Sequence, residues 1–275
     1  MIKSIPSLGH HNYFSDRNLL KRLAFVKYCR PRVNLNREIS RRLGIGRGGR
    51  EKKIFDVGCG NGQTLIQIRQ SGFAGELFGI DIAAGILKIA KKSNSDVQAG
   101  IHFAEGDAEN LKFSNNTFDY LILKHVLQNV YRPLRALQEC ARVLKPGGKI
   151  AIAVNGRKTR LIFRKMRPRI AKILHLKSFP DSDKHFNLEN LSPLARKVFE
   201  NVKVARFISK VRLRKTQPYL DYIDSTRSFW EKSAAADDAE WQKALDFSRE
   251  YLEKILKQKG EIKDYVTIGV IIARK

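Results

Sequence analysis

Cysteine is scarce in this chain of 275 residues, with Cys29, Cys59 and Cys140 too far apart for any CxxC pair. That excludes a disulfide framework and a thiolate metal site, and it suits a reducing compartment. No apolar run reaches the roughly 18 residues of a membrane span, so no integral membrane segment is expected. The opening Met1-Ile2-Lys3-Ser4-Ile5-Pro6 lacks both the apolar segment and the small-residue cleavage site of a secretory signal. A cytoplasmic setting is the expectation. Internal repeats and low-complexity tracts are missing too.

Acid is the other shortage, 27 residues against 53 basic ones for a net charge of +26. The excess is local. Residues 1–53 carry +11 and residues 156–215 carry +14, whereas residues 54–155 carry only +2 and residues 216–275 carry −1. Two concentrated cationic segments around a nearly neutral block point to a polyanion or an anionic surface as partner.

The neutral block reads as strands alternating with helices. Strands are expected at Lys53–Val57, Glu76–Asp81, Gln98–Glu105, Phe118–Leu123 and Lys149–Val154, with helices over 63–70, 85–92 and 134–144. The last helix stops at Lys145-Pro146-Gly147-Gly148, where proline and glycine cannot continue it. Such alternation implies right-handed crossovers and an α/β fold with a doubly wound, mostly parallel sheet of seven strands, helices covering both faces. Residues 203–213 read as an edge strand and 264–273 as the last strand, with 219–258 mostly helical between them. Residues 1–50 form a basic helical extension whose apolar positions Leu19, Leu20, Leu23 and Val26 have helical spacing, interrupted at Pro31. Residues 51–275 form the main domain, with a basic insertion at about 156–190.

Chemistry concentrates at Asp56-Val57-Gly58-Cys59-Gly60-Asn61-Gly62, between an apolar strand and a helix. Glycines let a backbone approach a ligand closely, and the helix N-terminus offers free N–H groups. A dinucleotide fingerprint would need a third glycine at Gln63; here the glycines fall at every second position behind an acid. This stretch resembles motif I of the class I S-adenosylmethionine-dependent methyltransferases. Gly79-Ile80-Asp81 resembles their second-strand acid, Gly106-Asp107-Ala108 the adenine loop, Phe118-Asp119-Tyr120 with Leu127 the fourth strand and its exit, and Leu144–Gly148 the turn before the fifth strand. The five motifs stand in order across residues 53–154.

The resemblance implies S-adenosylmethionine as cofactor, and as its contacts Asp56, Gly58, Cys59, Gly60, Asp81 with Ile82, Asp107, Ala108 and Lys124. The residues admit other roles. Asp81 has the position of a ribose reader, an acid about 20 residues past the loop, and also of a helix N-cap. Asp56 can hold the loop's N–H groups as well as the cofactor's amino-acid end. Asp107 can be a turn residue, and Cys59 reads as packing with no nucleophilic role. His125 and Lys124, at the exit of the fourth strand, are the catalytic candidates, against a histidine that packs on the next helix and a lysine that is solvated.

Absences narrow the acceptor. Leu123-Lys124-His125-Val126 stands where an amino-methylating enzyme of adenine or cytosine carries (Asp/Asn)-Pro-Pro-(Tyr/Phe), and Cys140 lies mid-helix, away from a cytosine-C5 nucleophile's place. A nitrogen or oxygen acceptor remains. The cationic segments favour structured RNA, ribosomal RNA with a guanine ring nitrogen first, and with it a possible link to antibiotic resistance. Arg22, Arg30, Arg32, Arg157, Arg160, Arg164, Lys165 and Arg167 would meet phosphates, and Tyr13, Phe14, Phe25 or Tyr28 would stack on an unpaired base. The alternative is a small molecule such as a quinone, sugar or secondary metabolite, with the 219–258 helices as a lid. A cationic N-terminal helix on anionic lipid is a further option.

Overall fold

The computed structural model describes residues 16–97, 99–176, 186–230 and 237–275. Five strands, β2 (Lys53–Val57), β3 (Glu76–Asp81), β4 (Ile101–Glu105), β5 (Phe118–Lys124) and β6 (Leu144–Asn155), run parallel in the order β4-β3-β2-β5-β6. Beyond β6 the sheet turns mixed. β8 (Ile262–Arg274) lies antiparallel to β6, β7 (Glu200–Leu213) antiparallel to β8, and the two-residue β1 (Cys29–Arg30) antiparallel to β7.

The sheet therefore has eight strands where seven are read from the sequence, and the difference is β1. It lies in the basic extension, whose pattern signals only helix. Residues 203–213 are not at the edge along their whole length, because Cys29 and Arg30 pair with Val211 and Lys210. The expected turn Lys145-Pro146-Gly147-Gly148 is instead the irregular start of β6. Pairing with β5 shifts register between Phe118 and Tyr120, and Gly147 N–H donates to the Lys275 carbonyl at 3.0 Å.

Helices α3 (Gln63–Gln70), α4 (Ala84–Asp96) and α5 (Pro133–Val143) connect the parallel strands. α5 covers one face with α7 (Leu188–Arg196), burying Leu137, Cys140, Leu188 and Leu191 against β5, β6 and β8. On the other face lie α3 and α2 (Leu35–Leu43), the latter with Ile39 and Leu43 fully buried. Asn34 caps α2 by accepting the Arg37 N–H at 3.0 Å, and Gly44 ends it in the left-handed region.

A second core fills the far end of that face. It joins α1 (Asp16–Val26), α6 (Leu161–Ile173), α8 (Gln217–Asp224), α9 (Arg227–Trp230) and α10 (Asp238–Lys259) around Phe25, Phe163, Tyr219, Trp230 and Trp241. The apolar stripe expected to face inward on α1 does not do so throughout. Leu20 and Leu23 are exposed, and Phe25 is the buried side chain. Position explains this: α1 rests on α8 rather than on the sheet, held by the Lys21–Asp224 ion pair and by Arg22 donating to the Ser225 carbonyl at 2.7 Å.

Asp264 ties this second core to the sheet. Its buried carboxylate accepts the Leu161 and Ile162 N–H groups at 2.9 and 3.0 Å, capping α6, and the Tyr219 hydroxyl at 2.6 Å. Replacing it by alanine leaves the Leu161 and Ile162 N–H groups and the buried Tyr219 hydroxyl without that partner. Asp264→Ala is expected to cost about 2–4 kcal/mol, read from the midpoint of a urea unfolding curve.

Candidate active site

The carboxyl ends of β2, β3, β5 and β6 meet at one edge of the sheet, the position where open α/β sheets bind ligands. β2 delivers Asp56 and the glycine loop. Gly58 has φ 74°, and a Cβ there would lie 2.3 Å from Cγ2 of Val126, so the loop can approach the β5 exit only as glycine. Gly60 is also left-handed, at φ 56°, but a Cβ there would meet nothing within 4 Å. Its open side faces room for a ligand.

The loop is held from β3, not by Asp56. Gly58 and Cys59 N–H donate to the Ile80 carbonyl at 2.7 and 2.8 Å. Asp81 accepts the Gly60 N–H on Oδ2 at 2.8 Å and the Ala83 N–H on Oδ1 at 3.0 Å, so it anchors the loop and holds the turn that leads into α4. A carboxylate has about four lone-pair sites, so each oxygen keeps acceptor capacity for a diol. Burial raises the Asp81 pKa, offset in part by those backbone donors.

Asp56 is fully buried, and neither oxygen has a hydrogen-bond partner. Burial pushes its pKa up to about 7, against the pull of the Lys124 ammonium and of the nearby Thr64 hydroxyl, and with a further push from Asp81. Lys124 is half-buried and engaged with the protein. Its Nζ donates to Thr64 Oγ1 at 2.7 Å and to Asn36 Oδ1 at 2.9 Å, tying the β5 exit to the first turns of α3 and α2. Asn36 in turn donates to Gln67 Oε1 at 2.8 Å. Burial lowers the Lys124 pKa, opposed by Asp56.

His125 follows with a left-handed backbone, φ 60°, its N–H donating to the Ala153 carbonyl at 2.8 Å. Its Nδ1 is buried without a partner. Burial, then the charges of Lys124 and Arg160, lower its pKa to about 4, with a Gln128 side-chain hydrogen bond acting the other way. The ring is neutral at pH 7. Asp107 behaves as a turn residue, its Oδ1 accepting the Glu109 N–H at 2.8 Å; it is exposed beside the buried Ala108. Cys59 is buried and its thiol is pushed well above the ordinary range, which suits packing. Ile82 lies next to Asp81, half-buried.

Three side chains in this group escape sequence reasoning. Asn36 and Thr64 reach Lys124 from 88 and 60 residues away, and only Thr64, two residues past the glycine loop, carries a positional hint. Glu109 is buried and accepts from Tyr131 N–H at 2.8 Å and from Arg132 Nε at 2.8 Å, fastening the 106–110 loop to the segment after His125.

The cationic residues proposed for RNA do not form one free face. Arg22 is tied to Ser225, and Arg30 donates to the carbonyls of Lys27 and Cys29. Arg160 stacks over Tyr222 and Arg167 over Phe163, both at 4.8 Å from the ring centroid. Arg164 donates to the Arg157 carbonyl. Arg32, Arg157 and Lys165 are exposed. Of the stacking aromatics, Phe25 is core against Tyr219 and Tyr222, Tyr28 is exposed, and Tyr13 and Phe14 lie outside the described residues.

Comparison with known proteins agrees with this geometry. A methyltransferase domain family matches residues 55–152. A demethylmenaquinone methyltransferase of Staphylococcus saprophyticus is 32% identical over 180 residues, which are 58% of this chain and 75% of that protein. One from a Geobacillus species is 29% identical over 168 residues, 60% of this chain and 70% of the relative. Among solved structures, phosphoethanolamine N-methyltransferase 2 of Haemonchus contortus, in complex with phosphomonomethylethanolamine and S-adenosylhomocysteine, shares the fold. It has a TM-score of 0.55 and 21% identity, covering 88% of this chain and 52% of that one. A parallel sheet edge with an acid, a glycine loop and a second-strand acid defines a nucleoside-cofactor enzyme. The chain belongs to the methyltransferase-domain family and is an S-adenosylmethionine-dependent methyltransferase.

Asp81→Ala removes the acceptor for Gly60 and Ala83 N–H and any grip on a sugar diol. Affinity for S-adenosylhomocysteine is expected to fall at least about tenfold by calorimetry.

Proposed function

We propose that this enzyme methylates a small hydroxylated aromatic acceptor, a reduced quinone being the first candidate. The observation that carries the reading is the pair of relatives named demethylmenaquinone methyltransferases, similar over 70% and 75% of their own lengths. Reduction matters chemically, since an oxidised quinone ring is electron-poor and a quinol offers an electron-rich nucleophile with a hydroxyl proton.

The residues fit the cofactor. Asp56 is an unsatisfied buried acceptor, and the left-handed Gly60 beside it opens onto free space. In this reading Asp81 takes the ribose hydroxyls, Asp107 and Ala108 border the adenine, and Asp56 with the Gly58–Gly60 backbone holds the amino-acid end. When bound, S-adenosylmethionine supplies an electrophilic methyl group on a sulfonium. The protein's own task is then to orient the acceptor and exclude water. His125, neutral at Nδ1, accepts the hydroxyl proton, and Lys124 and Arg160 stabilise the anion left behind.

Incubation with methyl-tritiated cofactor tests the reading, using 1,4-dihydroxynaphthalene under anaerobic conditions beside ribosomal subunits, naked ribosomal RNA and transfer RNA. Label is expected in the extracted naphthol fraction. Label confined to RNA would replace this reading with an RNA methyltransferase.

Asp56 supplies a pH prediction. With its pKa raised to about 7 in the free protein, half of it is protonated at neutral pH, and only the carboxylate attracts an ammonium. Cofactor affinity is expected to rise as pH increases from 5.5 to 7, and Asp56→Asn should weaken binding and flatten that slope in a calorimetric series.

A further inference from the structure

Buried polar atoms in folded proteins are almost always hydrogen-bonded, and each exception calls for a cause. Among the described residues, three side chains hold buried acceptor atoms with no partner: Asp56, His125 at Nδ1, and Asn155 at Oδ1. They are not scattered. Asp56 lies at the carboxyl end of β2, His125 at the exit of β5 and Asn155 at the last position of β6, and these three strands are neighbours in the sheet. His125 N–H donates to the carbonyl of Ala153, two residues before Asn155, so His125 and Asn155 occupy adjoining strand ends. Adjacent strands lie about 4.8 Å apart.

Asp56 belongs to the cofactor side. The other two acceptor atoms, Nδ1 of His125 and Oδ1 of Asn155, have no hydrogen-bond partner within the protein. By sheet register Asn155 shares a face with Lys124, because Lys124 pairs with Ala153 and strand side chains alternate. Beyond it the chain runs to Arg160, whose guanidinium lies over the Tyr222 ring and whose charge reaches His125. Two orphan acceptors thus stand at adjoining strand ends, with the charges of Lys124 and Arg160 reaching His125 and the Tyr222 ring lying under Arg160. The cations suit an ionisable hydroxyl, the ring a flat partner, and the orphan acceptors a proton donor.

We infer that Asn155 is the second polar anchor of the methyl acceptor: its Oδ1 and the Nδ1 of His125 each accept a hydrogen bond from a hydroxyl of a dihydroxylated aromatic ring. The assignment rests on the small-acceptor reading given above and extends it to the feature selected for, hydroxyls that can donate. Asn155 touches substrate and holds it; the proton is taken at His125.

The position has no evident structural use for an amide. Burying an unpaired amide oxygen costs on the order of 1–3 kcal/mol, and an apolar side chain of the same size avoids that cost. A purely structural asparagine would lose stability on replacement by leucine; a ligand-facing one would not.

Full-length protein saturated with S-adenosylhomocysteine is titrated anaerobically with 1,4-dihydroxynaphthalene and with 1,4-dimethoxynaphthalene, which cannot donate. Wild type is expected to prefer the diol. Asn155→Leu should keep its cofactor affinity, melt at the same or a higher temperature, and bind the diol about tenfold more weakly, so that most of the preference disappears. Asn155→Ala serves the same comparison should the leucine variant fail to bind the cofactor product. A variant that retains the full preference overturns the role of Asn155 while leaving the function intact. A wild type that binds neither naphthalene, or both equally, overturns the acceptor class and this assignment with it.

Discussion

A carboxylate buried without a donor is the constraint from which this site is built. Asp56 stands on β2, flanked on both sides by β3 and β5, and water does not reach it. The nearest cation, Lys124, has committed its ammonium to Thr64 and Asn36. Coulomb attraction remains, but desolvation outweighs it and the carboxyl rises to about 7. The backbone donors around it are engaged elsewhere: Gly58 and Cys59 N–H with the Ile80 carbonyl and Gly60 N–H with Asp81.

The backbone part of this arrangement was legible in the sequence because it depends on local steric rules. Alternate glycines behind an acid mark a chain that must turn left-handed, and Gly58 and Gly60 do so. Helix 63–70 and strand 76–81 follow from apolar spacing and match the observed bounds. What could not be read was which acid does what. Asp81 performs the loop-holding that Asp56 could equally have done, and the choice depends on a strand neighbour. Asn36 and Glu109 were out of reach for the same reason: each acts between segments far apart in the chain. The outward-facing Leu20 and Leu23 mark another limit, since helical spacing defines a stripe without saying what it faces.

Net charge misled in a different way. Counting cations cannot distinguish one that awaits a polyanion from one that staples the fold. Arg142 donates to the carbonyls of Leu111 and Phe113 and to Glu139, and Arg69 to those of Ala99, Phe73 and Gly75. Guanidinium offers five donors in a fixed fork, well suited to gathering carbonyls that loops leave unpaired. Inside the two basic segments, Arg22, Arg164 and Arg167 are likewise engaged with the protein itself. A positive balance raises general attraction to anions; it does not specify one.

The other buried acids show why the sheet edge is special. Glu109, Glu139 and Asp264 are nearly as inaccessible as Asp56, yet Glu109 holds Tyr131 and Arg132, Glu139 holds Leu111 and Arg142, and Asp264 holds Leu161, Ile162 and Tyr219. The chain plainly has the means to satisfy a buried carboxylate. Leaving Asp56, His125 and Asn155 unsatisfied together, at adjoining strand ends, is therefore a local departure from a rule obeyed by the other buried carboxylates. Such a row concentrates unmet acceptor capacity along one line of the molecule. On the proposed reading, a cofactor and an acceptor bound there would recover that free energy by donating to these atoms.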